Sequence, residues 1–169
     1  AYHDALTGLL NRHAVDLIDR RVYRASLFEP ASSILLMDLD LFKSINDRFG
    51  HDAGDKALQA VARVLTAALR RGDEIIRWGG EEFLMCLRHP SNCGHSVGFV
   101  ERMLNEFSHS TITTSKGPLQ VTASIGFKVA QCHSLGELEG LLSDIDQYLY
   151  RAKEHGRNRA FGQTNMQEA

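Results

Sequence analysis

Apolar and polar positions along the chain follow two periods in alternation. AVDLIDRRVYRASLF (Ala14 to Phe28) places apolar residues at helical spacing, and SSILLMDLDLF (Ser32 to Phe42) then runs through a short apolar core that reads as a buried strand. LFKSINDRFG puts Phe42, Ile45 and Phe49 on one helical face, with Lys43 and Asn46 on the opposite one, and Gly50 is its stop signal. In DKALQAVARVLTAAL the residues Leu58, Val61, Leu65 and Leu69 form an apolar stripe, and Asp55 stands near the helix N-terminus, where a carboxylate is favoured. EIIRW (Glu74 to Trp78) and EFLMCL (Glu82 to Leu87) have the β-branched and aromatic character of strands. Gly79-Gly80 between them predicts a tight hairpin turn with positive φ, followed at once by Glu81 and Glu82. A helix over SVGFVERMLNEF (Ser96 to Phe107), a strand over LQVTASIGFKVA with Val121, Ala123, Ile125, Phe127 and Val129 alternating, and a helix from about Leu135 to His155 complete the pattern.

A hairpin inside an alternating α and β chain predicts an α+β fold, a mixed or antiparallel central sheet covered by helices. At 169 residues, 43% hydrophobic and 24% charged, the chain has material for one domain with a sizeable core. Residues 1–162 read as that domain, and the polar end from residue 163 as a disordered tail. The net charge of −2, with no Lys/Arg block, excludes a groove for polymeric nucleic acid and leaves a small anionic ligand open. Cys86, Cys93 and Cys132 are odd in number and lack the paired spacing of a zinc site, so they read as reduced thiols in a cytoplasmic domain. No apolar run reaches membrane-spanning length. The chain opens at Ala1 without an initiator Met and reads as a piece of a longer protein, with a sensor or membrane region expected upstream.

Candidate chemistry gathers in LLMDLDLFKSINDRFGHDAGD (Leu35 to Asp55). Asp40 suits the N-cap of the following helix. Asp38 is different: a charge at the end of an Ile-Leu-Leu-Met strand is costly unless a cation or several donors meet it. Taken singly, Lys43 and Asn46 read as solvated surface, Asp55 as a cap and His51 as a loop histidine. Together, two carboxylate segments, a basic residue and an amide are the ingredients of a magnesium-nucleotide site, since Mg²⁺ takes one or two carboxylates plus substrate phosphates. Asp38 and one of Glu81 or Glu82 would then face each other across adjacent strands. Neighbouring strand residues point to opposite faces, so the two glutamates should differ in role.

GGEEF (Gly79 to Phe83) resembles the signature of the GGDEF-domain diguanylate cyclases. The likeness extends along the chain: DALTGLLNR (Asp4 to Arg12), DLDLFKSINDRFGHDAGD (Asp38 to Asp55), TASIGF (Thr122 to Phe127) and DQYLYRAKEHGRN (Asp146 to Asn158) are similar to the family's other motifs. The resemblance implies a nucleotidyl-cyclase, palm-like architecture with a signature β-hairpin, and the condensation of two GTP into cyclic di-GMP by a homodimer. It implies Mg²⁺, with Mn²⁺ as a substitute, held by Asp38, Glu81 and the Leu39 carbonyl. Asn46 and Asp55 would read guanine, His51 would line the pocket, Lys43, Lys153 and Arg157 would hold phosphate, and Glu82 would stand near substrate and metal. Lys43, Glu81 and Glu82 are thereby the catalytic set.

Arg70 and Asp73 in RRGD stand at the spacing of the family's inhibitory product site, with Arg102 as its second arginine; the plain alternative is a charged loop. A degenerate module that binds GTP or cyclic di-GMP without turnover is the rival class, and intact Asp38, Lys43, Glu81 and Glu82 argue against it. A related cyclase accepting ATP is disfavoured by Asp55.

Overall fold

The computed structural model describes residues 2–15, 32–70, 72–88, 94–130 and 135–163. Most of the helix expected over Ala14 to Phe28 lies outside them, as do Cys93, Cys132 and residues 164–169; only its first two residues, Ala14 and Val15, are described, and they belong to a helical turn over 12–15.

Eight strands are present among the described residues: β1 Leu10–Asn11, β2 Ser32–Leu39, β3 Glu74–Arg77, β4 Glu82–Arg88, β5 Ile112–Thr114, β6 Gly117–Leu119, β7 Ala123–Ala130 and β8 Arg159–Gln163. The helices are α1 Phe42–Phe49, α2 His51–Ala68, α3 Gly94–His109 and α4 Leu135–Glu154. Six strands form one sheet in the order β1-β3-β4-β2-β7-β8, while β5 and β6 pair as a separate small hairpin. The two outer pairs, β1 with β3 and β7 with β8, are parallel and the inner pairs antiparallel, so the sheet is mixed as the sequence pattern predicts. β8 carries Gln163, assigned above to the tail, opposite Lys128.

Both faces of the sheet are covered. Leu35, Met37, Phe83, Met85 and Ile125 pack with Leu58, Val61 and Leu65 of α2 and Phe99, Met103 and Phe107 of α3. Ile34, Leu36, Ile76, Leu84 and Cys86 pack on the other face with Leu138, Leu142, Ile145 and Leu149 of α4. This explains why β2 and β4 read as unbroken apolar runs. It also limits the alternation in β7, where Ser124 and Gly126 are buried along with Ala123, Ile125 and Phe127.

The covering places the charges. Along β2 the even positions Ile34 and Leu36 face α4, so Asp38 leaves the sheet on that side where the apolar cover ends. No described helix is long and apolar enough to cross a membrane.

Candidate active site

Asp38 and Glu82 stand opposite each other in the register of β2 and β4. A short loop, 78–81, returns the chain from β3 to β4, with the Trp78 and Gly79 amides both donating to the Glu82 carbonyl, at 2.8 and 3.3 Å. Neither Gly79 nor Gly80 has positive φ, which corrects the expected turn. Gly79 is needed for room instead: a Cβ there would lie 2.8 Å from Glu82 Oε1, so the glutamate side chain folds across the space the glycine leaves. The Leu39 amide donates to the Glu81 carbonyl at 3.2 Å and draws the loop against the end of β2. Arg77 holds it from below, pairing with Asp4 at 2.9 Å and donating to the Gly80 carbonyl at 2.7 Å.

Asp38 is only 8% exposed. Its Oδ2 pairs with the ammonium of Lys153, from the last turn of α4, and its Oδ1 is buried with no hydrogen-bond partner. Burial raises the pKa of Glu81, and the Asp38 charge raises it further against the opposing pull of Lys153. Glu82 is raised for the same reasons, with Asp146 and Glu81 adding to the repulsion. Three carboxylates therefore crowd one corner with a lysine. Among the described residues no three His, Cys, Asp or Glu side chains form a ready-made metal cluster. Two carboxylates completed by substrate phosphates need none.

Glu82 also lines a cavity of about 480 Å³ with Arg12, Trp78, Glu139 and Asp146. The Arg12 guanidinium lies 4.2 Å above the Trp78 ring. Sequence reasoning missed Trp78, Asp146 and this use of Arg12. They are distant in the chain and share no spacing that would have linked them.

A second group occupies the α1–α2 corner. Asn46 follows Phe42 by one turn and shares its side, and both approach Gly54 in α2, which corrects the placement of Asn46 opposite Phe42. The Asn46 Oδ1 is buried and has no hydrogen-bond partner. Lys43, His51 and Asp55 are exposed around it. His51 is the first residue of α2, not a loop residue, and Asp52 is the acid of the first turn; Asp55 lies in the second and is no cap. Arg157 is exposed in the turn after α4, at φ 64°, its amide donating to the Ala152 carbonyl.

Asp40 does not cap α1. The N-cap position is Leu41, in the left-handed region at φ 54°, with no side-chain cap. The Asp40 carboxylate instead accepts from Ser124 Oγ, Thr122 Oγ1 and the Asn158 amide, at 2.6, 2.6 and 2.9 Å.

Of RRGD, Arg70, Gly72 and Asp73 are described, and Asp73 ties them together. Asp73 accepts from the Arg70 and Arg88 amides, each at 2.9 Å, and Gly72 takes φ 92°. Arg102 stands on α3 over Phe99 and lines an apolar groove with Arg63, Val64 and Met103.

The chain is 40% identical to diguanylate cyclase DgcM of Escherichia coli (strain K12), an alignment covering 94% of this chain and 38% of that protein. It is 37% identical to response regulator PleD of Caulobacter vibrioides, covering 96% of this chain and 36% of PleD. It thus spans well under half the length of these curated relatives. The solved GGDEF domain of DgcB from Caulobacter crescentus, in complex with c-di-GMP, superimposes with a TM-score of 0.81 at 29% identity over 95% of this chain and 92% of that one. The mixed sheet with α4 on one face is thus the fold of GGDEF cyclase domains. The family model "Diguanylate cyclase, GGDEF domain" matches residues 1–159, from the Asp4 turn through the signature hairpin to the start of β8, and the chain belongs to that family.

Proposed function

We propose that this domain condenses two GTP into cyclic di-GMP and two pyrophosphates, with Mg²⁺, or Mn²⁺ in its place. The observation that carries the reading is Asp38: a buried Oδ1 without a partner, beside Glu81 and Glu82, whose pKa values are raised by burial and by the Asp38 charge. Such a corner suits a divalent cation, which would satisfy the orphaned oxygen and relieve the repulsion. Asp38, Glu81 and the Leu39 carbonyl would hold the ion. Held there, it would supply Lewis-acid polarisation of the phosphoryl oxygens and would lower the proton affinity of the attacking hydroxyl.

The rest falls to the chain's own side chains. Lys43 and Arg157 hold phosphate oxygens, joined by Lys153, whose ammonium already stands at Asp38. Asn46 and Asp55 accept from the guanine N1 and N2 donors, and His51 lines the pocket. The 3′-oxygen of one GTP bonds to the α-phosphorus of the other, the bond to the bridging oxygen breaks, and pyrophosphate leaves. The hydroxyl proton passes to Glu81 or Glu82, the two carboxylates beside Asp38. The same exchange repeated in the other direction closes the ring.

Each chain holds one GTP, so the working unit is a homodimer whose two sites face each other. Product bound at Arg70 and Asp73, with Arg102, would hold the pair apart; the c-di-GMP complex of the DgcB domain supports a product-binding role for this fold. The test incubates concentrated protein with GTP or ATP and Mg²⁺ and separates the nucleotides. Cyclic di-GMP from GTP alone, abolished by chelation and strongly reduced in Glu81→Gln, is expected. GTP binding without any product overturns the enzyme reading in favour of a binding module, and full turnover in Glu81→Gln overturns the metal assignment.

A further inference from the structure

Among the described residues two carboxylates are buried, Asp38 and Asp40, and the scheme above employs only the first. Asp40 is 7% exposed, and each of its oxygens is engaged. Oδ1 accepts from Ser124 Oγ in β7; Oδ2 accepts from Thr122 Oγ1, just ahead of β7, and from the Asn158 amide in the turn after α4. The Asp40 amide donates to the Thr122 carbonyl at 2.9 Å, fixing its backbone to the same strand entry. One carboxylate thus ties the end of β2 to two segments that lie 82–84 and 118 residues further along the chain.

The backbone around it carries a second observation. Three non-glycine described residues have positive φ: Leu41 at 54°, Arg157 at 64° and Asn158 at 47°. Leu41 is the next residue after Asp40, and the other two form the turn that Asp40 grips. Left-handed backbone at a non-glycine residue persists only where surrounding contacts hold it, and such residues cluster where geometry serves function. Leu41 is also 60% exposed, so side-chain burial does not explain its conformation.

What the grip sets is how the end of α4 and its following turn meet the end of β2, a meeting that the Lys153–Asp38 pair already makes at one point. On one side are Asp38 and Leu39, immediately before Asp40. On the other are Lys153, in the last turn of α4, and Arg157, in the clamped turn itself. We propose that Asp40 is a positioning residue: its carboxylate holds the Arg157-Asn158 turn against the end of β2, so that Arg157 and Lys153 are aimed at the phosphates of the nucleotide whose metal side Asp38 defines. The inference rests on the nucleotide reading above and assigns Asp40 no contact with substrate.

The test reads binding, using 3′-deoxy-GTP, which cannot form the new bond, with Mg²⁺ and calorimetry on wild type, Asp40→Ala, Arg157→Ala and the double variant. Loss of one charge-assisted phosphate contact weakens affinity by about tenfold, and that is the expected effect of Asp40→Ala. Because Asp40 acts through the turn, the double variant should bind no worse than the weaker single one. Asp40→Asn should restore affinity to within about twofold, since its carbonyl can accept from Asn158 and Thr122 while its amide donates to the Ser124 hydroxyl. Wild-type affinity in Asp40→Ala, full additivity with Arg157→Ala, or an Asp40→Asn variant as weak as Asp40→Ala each overturn the positioning role. If Asp40→Ala does not fold, Thr122→Val removes one donor to the same oxygen, and its smaller loss must show the same non-additivity. A wild-type protein that does not bind 3′-deoxy-GTP overturns the nucleotide reading itself, an outcome distinct from any of these.

Discussion

The side-chain amide of Asn46 stands where a β-carbon on Gly54 would lie, so these two residues are fitted to each other across the α1–α2 corner. Glycine inside a helix costs about 1 kcal/mol relative to alanine, and here that cost leaves a niche for the amide. Gly54→Ala should recover some helix propensity and collide with Asn46 Oδ1, so stability changes little while the amide is displaced. If Asn46 reads guanine, GTP affinity falls by roughly fivefold, the worth of about one hydrogen bond. Thermal melts and GTP titrations run in parallel check both halves. Unchanged GTP affinity in the alanine variant would show that the niche has no bearing on the nucleotide.

Gly126 poses a harder constraint, because what a β-carbon would meet there is backbone. It would stand 2.7 Å from the Leu149 amide nitrogen and closer still to the Ile145 carbonyl oxygen, where α4 lies directly on β7. No rotamer change relieves that contact, so Gly126→Ala must push α4 outward, at an overpacking cost of about 1–3 kcal/mol. The displacement would also carry Lys153 away from Asp38. The urea midpoint of the variant should fall without a change in slope. An unchanged midpoint would mean that α4 is free to slide on the sheet.

The order of elements was legible because local patterns decide it. The apolar stripe of α2, the apolar run of β2 and the stop at Gly50 each need only a few adjacent residues to declare themselves. The hairpin's existence was legible too, but not its turn: Gly79 looked like a source of positive φ, and the deciding fact is the Glu82 side chain lying over it. Asp40 was misread for a related reason. A lone Asp before a helix matches the N-cap pattern, while its actual donors, Thr122, Ser124 and Asn158, announce nothing locally. β1 and β8 escaped because each is an edge strand whose pairing is parallel and distant, and β5–β6 because three-residue strands carry too little pattern. Within the site, the pairing of Asp38 with a hairpin glutamate was foreseeable from strand order, whereas Arg12, Trp78 and Asp146 meet only once the sheet and α4 are assembled.

Acid should release the Asp4–Arg77 tie. Burial works to raise the Asp4 pKa, but its hydrogen bonds from Thr7 and the bond and charge of Arg77 outweigh it and hold the carboxyl below its ordinary 3.8. A carboxyl depressed in the folded state binds fewer protons there than in the unfolded chain. Its contribution is therefore complete above the ordinary value and is lost as pH falls through the folded one. Both side chains keep some exposure, 17% for Arg77 and 20% for Asp4, so the contribution is about 1 kcal/mol. Asp4→Asn should accordingly be less stable than wild type at neutral pH, and the gap should close well below pH 3.8. A gap of equal size at both pH values would assign the loss to packing in place of charge.

The RRGD turn allows the proposed product brake to be separated from the turn's own architecture. Asp73 spends both carboxylate oxygens on backbone amides, those of Arg70 and Arg88, and so fastens the turn to the end of β4. Arg70 contributes its amide to that network and sends its exposed guanidinium across to the Arg88 carbonyl at 3.5 Å, a long contact that a phosphate could replace. The two residues should therefore answer differently to truncation. Asp73→Ala should lower stability by about 1 kcal/mol for each amide it leaves unbonded, whereas Arg70→Ala should cost little. For the brake, the quantity to read is the ratio of initial rates with and without added cyclic di-GMP at fixed enzyme, in which any change of basal rate cancels. Product bound at this turn need only favour the separated arrangement over the facing one to slow turnover. In wild type the ratio should fall steeply as product is added, and in Arg70→Ala it should stay near one. A wild type indifferent to product, or an Arg70→Ala variant inhibited as strongly, would reduce RRGD to the structural turn that Asp73 builds.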